Sequence, residues 1–233
     1  MILTITPPEE TALQAHLHKL RTQLHEDPEL SWQEHRTTRL VRRELEALCL
    51  EPVPLGLPTG TAALLRGALP GPTVGLRADL DALPITERTG AEFSSRVPGV
   101  MHACGHDIHM AALLGAARLL AARREQLAGN VLFLFQPAEE AATGAMQVLE
   151  QGLFRRVPMA GMLALHVWPG LAQGQLGVRS GAILSAVDSF EITVTGRGGH
   201  GSAPERACNP IPAGAALASA LTTLRANDLP QAE

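Results

Sequence analysis

Residues 131–140 read VLFLFQPAEE. The five consecutive apolar residues predict a strand that is buried on both faces, as in a parallel sheet covered by helices. Pro137 and the acidic pair Glu139 and Glu140 follow this run directly. Similar short apolar runs cover residues 62–65, 73–76 and 159–165, and helical patterns separate several of them. Strands that alternate with helices predict an α/β fold with a partly parallel sheet flanked by helices.

Capping patterns predict where three helices begin. Thr6 with Glu9, and Ser31 with Glu34, match the capping box, and apolar residues at helical spacing follow each pair. Asp107 is predicted to cap a third helix. The first two helices are expected only to pack against the sheet.

Composition excludes several classes of protein. The chain has 233 residues, 45% of them hydrophobic, a net charge of −4 and a pI of about 6.1. A nucleic-acid surface is usually basic, so no such partner is expected. The N-terminus lacks the features of a secretory signal, and residues 110–122 are too short to span a bilayer. Three cysteines make no disulfide framework, and together these features predict a cytoplasmic protein.

A candidate metal site begins at residues 101–109, MHACGHDIH. Cys104 and His106 lie two residues apart on a glycine-containing turn, which suggests metal ligands; the alternatives are a buried free thiol and a stray surface histidine. His166, like the acidic pair, follows a predicted strand, and ligands of α/β sheets bind at the carboxyl ends of strands. Asp79 and Asp81 also follow a strand, but capping of the next turn is the favoured interpretation for these two.

Cys104, His106, Glu140 and His166 together offer sulfur, nitrogen and oxygen ligands. Such a mixed set suits Zn, Co, Ni or Mn. Two adjacent glutamates cannot both bind one ion without backbone strain, so one would bind metal while its neighbour faces the substrate. A carboxylate in that place is a natural general base, although a solvated acidic turn is the alternative. The flanking histidines His102 and His109 are expected near the site or at the surface, and not as ligands.

The pattern changes towards the C-terminus. Residues 190–195 alternate apolar and polar side chains, which predicts a strand with one wet face. His200 follows in a glycine-rich turn, where it is either a hydrogen-bond donor to a developing oxyanion or an exposed turn residue. Asn209 then opens a helix. We therefore expect two domains, residues 1–183 and residues 184–233.

Six motifs together resemble a known family, the metallopeptidase-like amidohydrolases of the aminoacylase, hippurate hydrolase and carboxypeptidase group. They occur in order along the chain: LRTQLHEDPELSWQEHRT, GLRADLDALPI, MHACGHDIHMAALLGAA, VLFLFQPAEE, LHVWPG and GRGGHGSAPE. The resemblance runs from about residue 17 to the 220s, and several of the motifs are long and specific.

The resemblance implies roles for individual residues. The implied metal ligands are Cys104, in a place that a bridging carboxylate takes in related branches, with His106, Glu140 and His166. Glu139 would be the general base, and Asp79 would lie near the metal centre. His200 would reach the active site of a partner subunit and stabilise the oxyanion.

The resemblance also implies a reaction and an architecture. Family members hold two divalent ions, often Mn, Zn, Co or Ni, and cleave the amide bond of N-acyl amino acids, such as hippurate, or of small peptides. They have a zinc-exopeptidase-like catalytic domain and an inserted lid domain that forms a homodimer.

One departure from the family pattern concerns the second domain. The family's lid has four strands and two helices, whereas one strand and one helix are predicted here, and the last metal-binding histidine of the family has no counterpart. The resemblance therefore implies a truncated, frameshifted or split product. Two hypotheses follow: an active metal-dependent amidohydrolase, or an inactive remnant that at most binds metal or self-associates through the lid strand. A redox protein built on Cys104 would lack the usual CxxC motif.

Overall fold

The computed structural model describes residues 6–183 and 190–227, with side chains described as far as residue 223. The chain divides into two compact units between Gly174 and Gln175. The division predicted from the sequence, at residues 183 and 184, borders the segment 184–189, which lies outside the described residues. Within the described part of the chain, no helix is both long enough and apolar enough to cross a membrane.

A five-stranded mixed sheet forms the centre of the first unit. Its strands lie in the spatial order β1-β2-β4-β3-β5. β4 pairs in parallel with β3, and β3 in parallel with β5, whereas β1 with β2 and β2 with β4 are antiparallel. The bounds of the strands are Glu51–Val53 (β1), Thr61–Arg66 (β2), Leu69–Asp79 (β3), Ala128–Gln136 (β4) and Gly161–Ala164 (β5). The predicted α/β fold with a partly parallel sheet is confirmed.

Helices cover both faces of this sheet. The helices of the first unit are Pro7–Glu26 (α1), His35–Ala47 (α2), His106–Ala121 (α3), Gly144–Glu150 (α4) and Leu153–Arg156 (α5). The second unit contains the helix Ile211–Asn227 (α6), where the Asn209 side chain accepts a hydrogen bond from the backbone N–H of Ile211 at 3.0 Å. Asn209 therefore opens this helix, as predicted.

The apolar run of β4 is buried on both faces, as the sequence predicts. Val131, Phe133 and Phe135 pack into a core formed with α1, α2 and α3. Leu132 and Leu134 point to the opposite face and pack against residues of α4 and α5. Alternating side chains of one strand thus contribute to two separate cores, which accounts for an uninterrupted apolar sequence.

Of the three predicted helix caps, one is confirmed. The backbone N–H of Thr6 donates to Glu9 at 3.0 Å, as in a capping box. The Ser31–Glu34 capping box is wrong, because Trp32 has a φ of 64° and α2 begins only at His35. The hydroxyl of Ser31 instead donates to Asp81 at 2.7 Å.

The predicted cap of the third helix is also wrong. α3 begins at His106, one residue before Asp107, and its cap position is Gly105. The buried carboxylate of Asp107 instead accepts hydrogen bonds from Arg21 and His25 of α1, each at 2.8 Å. These bonds tie the start of α3 to α1.

Two predicted strands differ from the structure. β5 is shorter than the predicted residues 159–165, and it is largely exposed because it lies at the edge of the sheet. Residues 190–195 are exposed and form no strand, since no described segment pairs with them. An apolar-polar alternation yields a stable strand only when neighbouring strands are present to pair with it.

Leu65 and Leu69 offer a matched test of this core. The side chain of Leu65 is 0% exposed and that of Leu69 is 50% exposed. Leu65→Ala should lower the free energy of unfolding by about 2–5 kcal/mol, because it leaves a cavity beside β4. Leu69→Ala should change it by less than about 1 kcal/mol. Equal losses in urea unfolding would contradict the described core.

Candidate metal centre

The polar candidates of the first unit converge at one edge of the sheet. β3 and β4 run parallel with Asp79 opposite Gln136, so both strands end side by side. β5 ends beside them, two residues before His166, and α3 begins there with His106. The site therefore lies at the carboxyl ends of the parallel strands, as expected for an α/β sheet.

His106 is buried at the centre of this cluster. Its Nδ1 lies 2.8 Å from the backbone oxygen of Asp81, which accepts the ring proton. The lone pair is therefore on Nε2, which faces carboxylate oxygens of Asp79, Glu140 and Glu139 at 3.6, 3.7 and 3.8 Å. An imidazole whose other nitrogen is fixed in this way is prepared to bind a metal ion.

Cys104 and His166 form the outer side of the cluster. The Sγ of Cys104 lies 3.4 Å from Nε2 of His166, and Nδ1 of His166 donates to the backbone oxygen of Val167 at 2.8 Å. Gly105, between Cys104 and His106, has a φ of 83°, and a Cβ at this position would lie 2.6 Å from the Val167 side chain. The turn that presents both ligands thus requires glycine.

The Glu139–Glu140 pair is held through its backbone. The two carboxylate oxygens of Asp81 accept the N–H groups of Glu139 and Glu140, each at 2.9 Å. Asp81 therefore does cap a turn, but it is the turn that carries the site's acidic residues. The two side chains differ in exposure, at 40% for Glu139 and 20% for Glu140. Glu140 turns inward to His106, and Glu139 remains open to solvent.

Negative charge accumulates in this cluster. Burial and the charges of Glu140, Glu139 and Asp79 raise the pKa of the Cys104 thiol to about 12. Burial and the Glu139 charge raise the pKa of Glu140, although His106 opposes this. The pKa of His106 is raised, because bonding to Asp81 and the nearby carboxylates outweigh its burial. Each shift indicates that the cluster favours an added positive charge.

The residues present fit a divalent metal ion. Three atoms of Cys104, His106 and His166 lie within 4.8 Å of one another, and so do those of His106, Glu139 and Glu140. Nε2 of His106 and Oε1 of Glu140 are buried without a hydrogen-bond partner, and buried polar atoms of this kind are expected to have a partner such as a metal ion. Ligand bonds of typical length to a tetrahedral ion place S and N about 3.6 Å apart, close to the separation of Cys104 and His166. His106 belongs to both groups, so two ions, one in each group, would lie close to each other beside His106.

In a third group of potential ligands, Asp79, His106 and His109, hydrogen bonds already engage Asp79 and His109. Nδ1 of His109 donates to Asp79 at 2.7 Å, and its Nε2 accepts the N–H of Val167 at 3.0 Å. Both nitrogens of His109 are thus occupied. Its ring also lies against that of His166, with centroids 4.6 Å apart. His109 therefore orients the groups around it, which agrees with its exclusion as a ligand.

Asp79 stays ionised at the bottom of the site. Burial would raise its pKa, but hydrogen bonding to His109 and the charges of His106 and Arg77 lower it to about 2. Arg77 donates to its second oxygen at 2.7 Å. The Asp79 carboxylate therefore lies near the candidate ligands, and each of its two oxygens already accepts a hydrogen bond.

His102 is buried and not at the surface. Burial lowers its pKa to about 4, which keeps the imidazole neutral. It lies 6.5 Å, between ring centroids, from His25, whose hydrogen bond to Asp107 raises its own pKa. His25 and Asp107 brace the helix start that carries His106.

His200 lies in the second unit, on an exposed loop. Its Nδ1 lies 2.8 Å from the Ser202 hydroxyl and accepts the Ser202 N–H at 3.2 Å. The ring proton is therefore on Nε2. The role in a partner's active site stays a prediction.

The segment between α1 and α2 contributes two side chains whose partners the sequence pattern does not predict. Ser31 bonds to Asp81, and Glu34 bonds to the backbone of Ala138, beside the acidic pair. The S-x-x-E pattern of these two residues predicts a helix cap instead. Glu34 directly precedes a helix with an apolar face, which indicates that its side chain could be buried. That position does not reveal which group it bonds to.

Comparison with known proteins identifies the family. The sequence model of the family described as Peptidase family M20/M25/M40 matches residues 75–231. An N-acetylcysteine deacetylase of Bacillus subtilis (strain 168) is 44% identical over 216 residues, which are 92% of this chain and 56% of the relative. An N-acyl-L-amino acid amidohydrolase of Geobacillus stearothermophilus is 40% identical over 204 residues, 86% of this chain and 54% of the relative.

A solved structure gives the same result. The Bacillus subtilis YXEP protein, described as a dinuclear metal binding peptidase from the M20 family, superposes with a TM-score of 0.70 at 46% identity. The match covers 73% of this chain and 47% of that one. The chain spans about half the length of the curated relatives it matches. Sequence and structure agree that the chain belongs to peptidase family M20/M25/M40.

Proposed function

We propose that this chain forms the metal-binding part of an amidohydrolase that cleaves the amide bond of N-acyl amino acids, such as hippurate, or of small peptides. One observation carries the proposal: Nε2 of His106 and Oε1 of Glu140 face each other, buried and without partners, beside the more exposed Glu139. The names of the relatives, a deacetylase of N-acetylcysteine and an amidohydrolase of N-acyl-L-amino acids, support this substrate class.

Cys104, His106, Glu140 and His166 would hold the metal, with two divalent ions of Mn, Zn, Co or Ni. A divalent ion at this place supplies Lewis acidity, which polarises an amide carbonyl and lowers the pKa of water. The mixed sulfur, nitrogen and oxygen set is compatible with each of these metals. A thiol binds metal as the thiolate, so Cys104 must remain reduced, and we include a cytoplasmic setting in the proposal.

Glu139 acts as the general base. Its side chain is 40% exposed and lies 3.8 Å from Nε2 of His106, so it can face both the ion and an approaching substrate. It takes a proton from the water that attacks the carbonyl carbon. It then gives that proton to the leaving nitrogen as the C–N bond breaks, which leaves a carboxylic acid and an amine.

His200 is proposed to donate a hydrogen bond to the oxyanion in the site of a partner subunit. The N–H of Ser202 occupies its Nδ1, which supports a proton on Nε2 in an exposed position. The second domain, proposed as residues 184–233, would provide the dimer contact. A fixed donor of this kind stabilises the charge that develops on the carbonyl oxygen.

Cobalt binding tests the ligand set without any need for turnover. Titration of the chain with Co²⁺ should produce a thiolate-to-cobalt charge-transfer band, with release of the Cys104 proton. Cys104→Ser should abolish the band, because the ligand sulfur is removed. Cys49→Ser is the matched control, since Cys49 is an exposed free thiol that follows α2 and is not among the candidate ligands, and it should keep the band. An unchanged band in Cys104→Ser would contradict the ligand assignment.

Hydrolysis of hippurate with added Mn²⁺ tests the reaction itself. Glu139→Gln should lower the rate of glycine release by about 10²–10⁴-fold, because the amide cannot take the proton. The control Glu150→Gln changes an exposed glutamate of α4 that bonds only locally, to Gln147, and should hydrolyse at the wild-type rate. Undiminished turnover in Glu139→Gln would refute the mechanism. A chain that binds Co²⁺ but releases no glycine would favour the inactive remnant.

A further inference from the structure

Glu34 is a buried carboxylate that the proposed reaction does not use. Its side chain is 0% exposed, and it lies between α1 and α2. One carboxylate oxygen accepts the Thr59 hydroxyl at 2.7 Å, and the other accepts the backbone N–H of Ala138 at 2.8 Å. Burial of a carboxylate is costly, and these two hydrogen bonds offset part of that cost.

The turn that receives this bond does not have a relaxed backbone. Ala138 has a φ of 49° and Ala142 a φ of 54°, a left-handed backbone that non-glycine residues adopt only at an energetic cost. Such a turn persists only where its surroundings impose it. Glu139 and Glu140 project from the middle of the turn.

Two buried carboxylates from different segments impose this conformation. Glu34 accepts the N–H of Ala138, and Asp81 accepts the next two, those of Glu139 and Glu140. Three consecutive N–H groups are thereby fixed. Asp81 also bonds to Ser31 and His106, so its substitution would disturb several contacts at once. Glu34 contacts the turn through one peptide group alone, that of Ala138, which makes it the better residue to test.

The neighbours of Glu34 hold the same turn at other points. The indole N–H of Trp32 donates to the Thr143 hydroxyl at 3.1 Å, at the far end of the turn. Ser31 bonds to Asp81, which holds the middle. The segment 31–34 thus contacts the turn at its start and end directly, and at its centre through Asp81.

We infer that Glu34 is a positioning residue for the carboxylate pair: by holding the amide of Ala138, it fixes the left-handed turn from which Glu139 and Glu140 extend. The inference rests on the proposed function for the role of the pair in metal binding and catalysis. The contact itself is independent of that role.

Three variants separate positioning from a general contribution to stability. Glu34→Ala removes both bonds. Glu34→Gln can retain both, because its amide oxygen accepts from Ala138 while its amide nitrogen donates to the Thr59 hydroxyl. Thr59→Val removes only the hydroxyl contact and leaves the bond to Ala138. If Glu34 contributed only to stability, each folded variant would bind Co²⁺ with wild-type affinity.

The first measurement is Co²⁺ affinity by absorption titration of each full chain. Glu34→Ala should weaken binding by about 10–100-fold, as is typical when a supporting contact of a ligand is lost. Glu34→Gln and Thr59→Val should bind within about threefold of wild type, since the ligand environment is kept. If Glu34→Ala is folded and binds as wild type does, the inference is overturned.

The second measurement is hydrogen exchange of the peptide that covers residues 137–143. Exchange should be faster in Glu34→Ala and unchanged in Glu34→Gln. This readout needs no metal. A wild-type chain that fails to bind Co²⁺ would therefore contradict the proposed function, and hydrogen exchange would still test the positioning role.

If Glu34→Ala fails to fold, Glu34→Asp replaces it, because its shorter side chain keeps the charge but cannot reach both partners. Wild-type exchange in the folded variant would overturn the inference.

Discussion

The parallel pairing of β3 with β4 is the constraint on which the site depends. Its register puts Asp79 opposite Gln136, so the segments that leave the two strands run next to each other. Asp81 on one segment can then hold the backbone of Glu139 and Glu140 on the other. The pairing is itself fixed by burial, because the side chains of β4 pack into a separate core on each face. A shift by one residue would exchange the two faces and separate the ends.

The site gathers groups whose charges a cation would compensate. Four carboxylates and a thiol surround His106, and the thiol pKa of Cys104 is raised to about 12. Burial and neighbouring carboxylates disfavour the charged forms of Glu140 and Cys104, and a positive ion would favour them. Hydrogen bonds to neighbouring residues orient His106, His166 and the backbone of the acidic pair towards a common position for an ion.

The sequence predicted the parts of this arrangement that arise from local pattern. The apolar run of β4 and the alternation of strands with helices predict the partly parallel sheet, and the rule for strand ends predicts that the acidic pair and His166 meet. The sequence could not show which tertiary partner a polar side chain takes. Ser31 and Glu34 match a helix cap, but the left-handed backbone of Trp32 delays the helix and sends both side chains to other segments. The exposed residues 190–195 fail as a strand for a related reason, because pairing is not a local property.

X-ray absorption of the chain loaded with Zn²⁺ tests the central claim most directly, since it reports the atoms around the ion. The account predicts a shell that contains one sulfur at about 2.3 Å together with nitrogen and oxygen at about 2.0–2.2 Å. The sulfur would come from Cys104, and the lighter atoms from His106, His166 and Glu140. A shell of oxygen alone, or one without sulfur, would mean that the ion binds elsewhere and would contradict the metal centre described above.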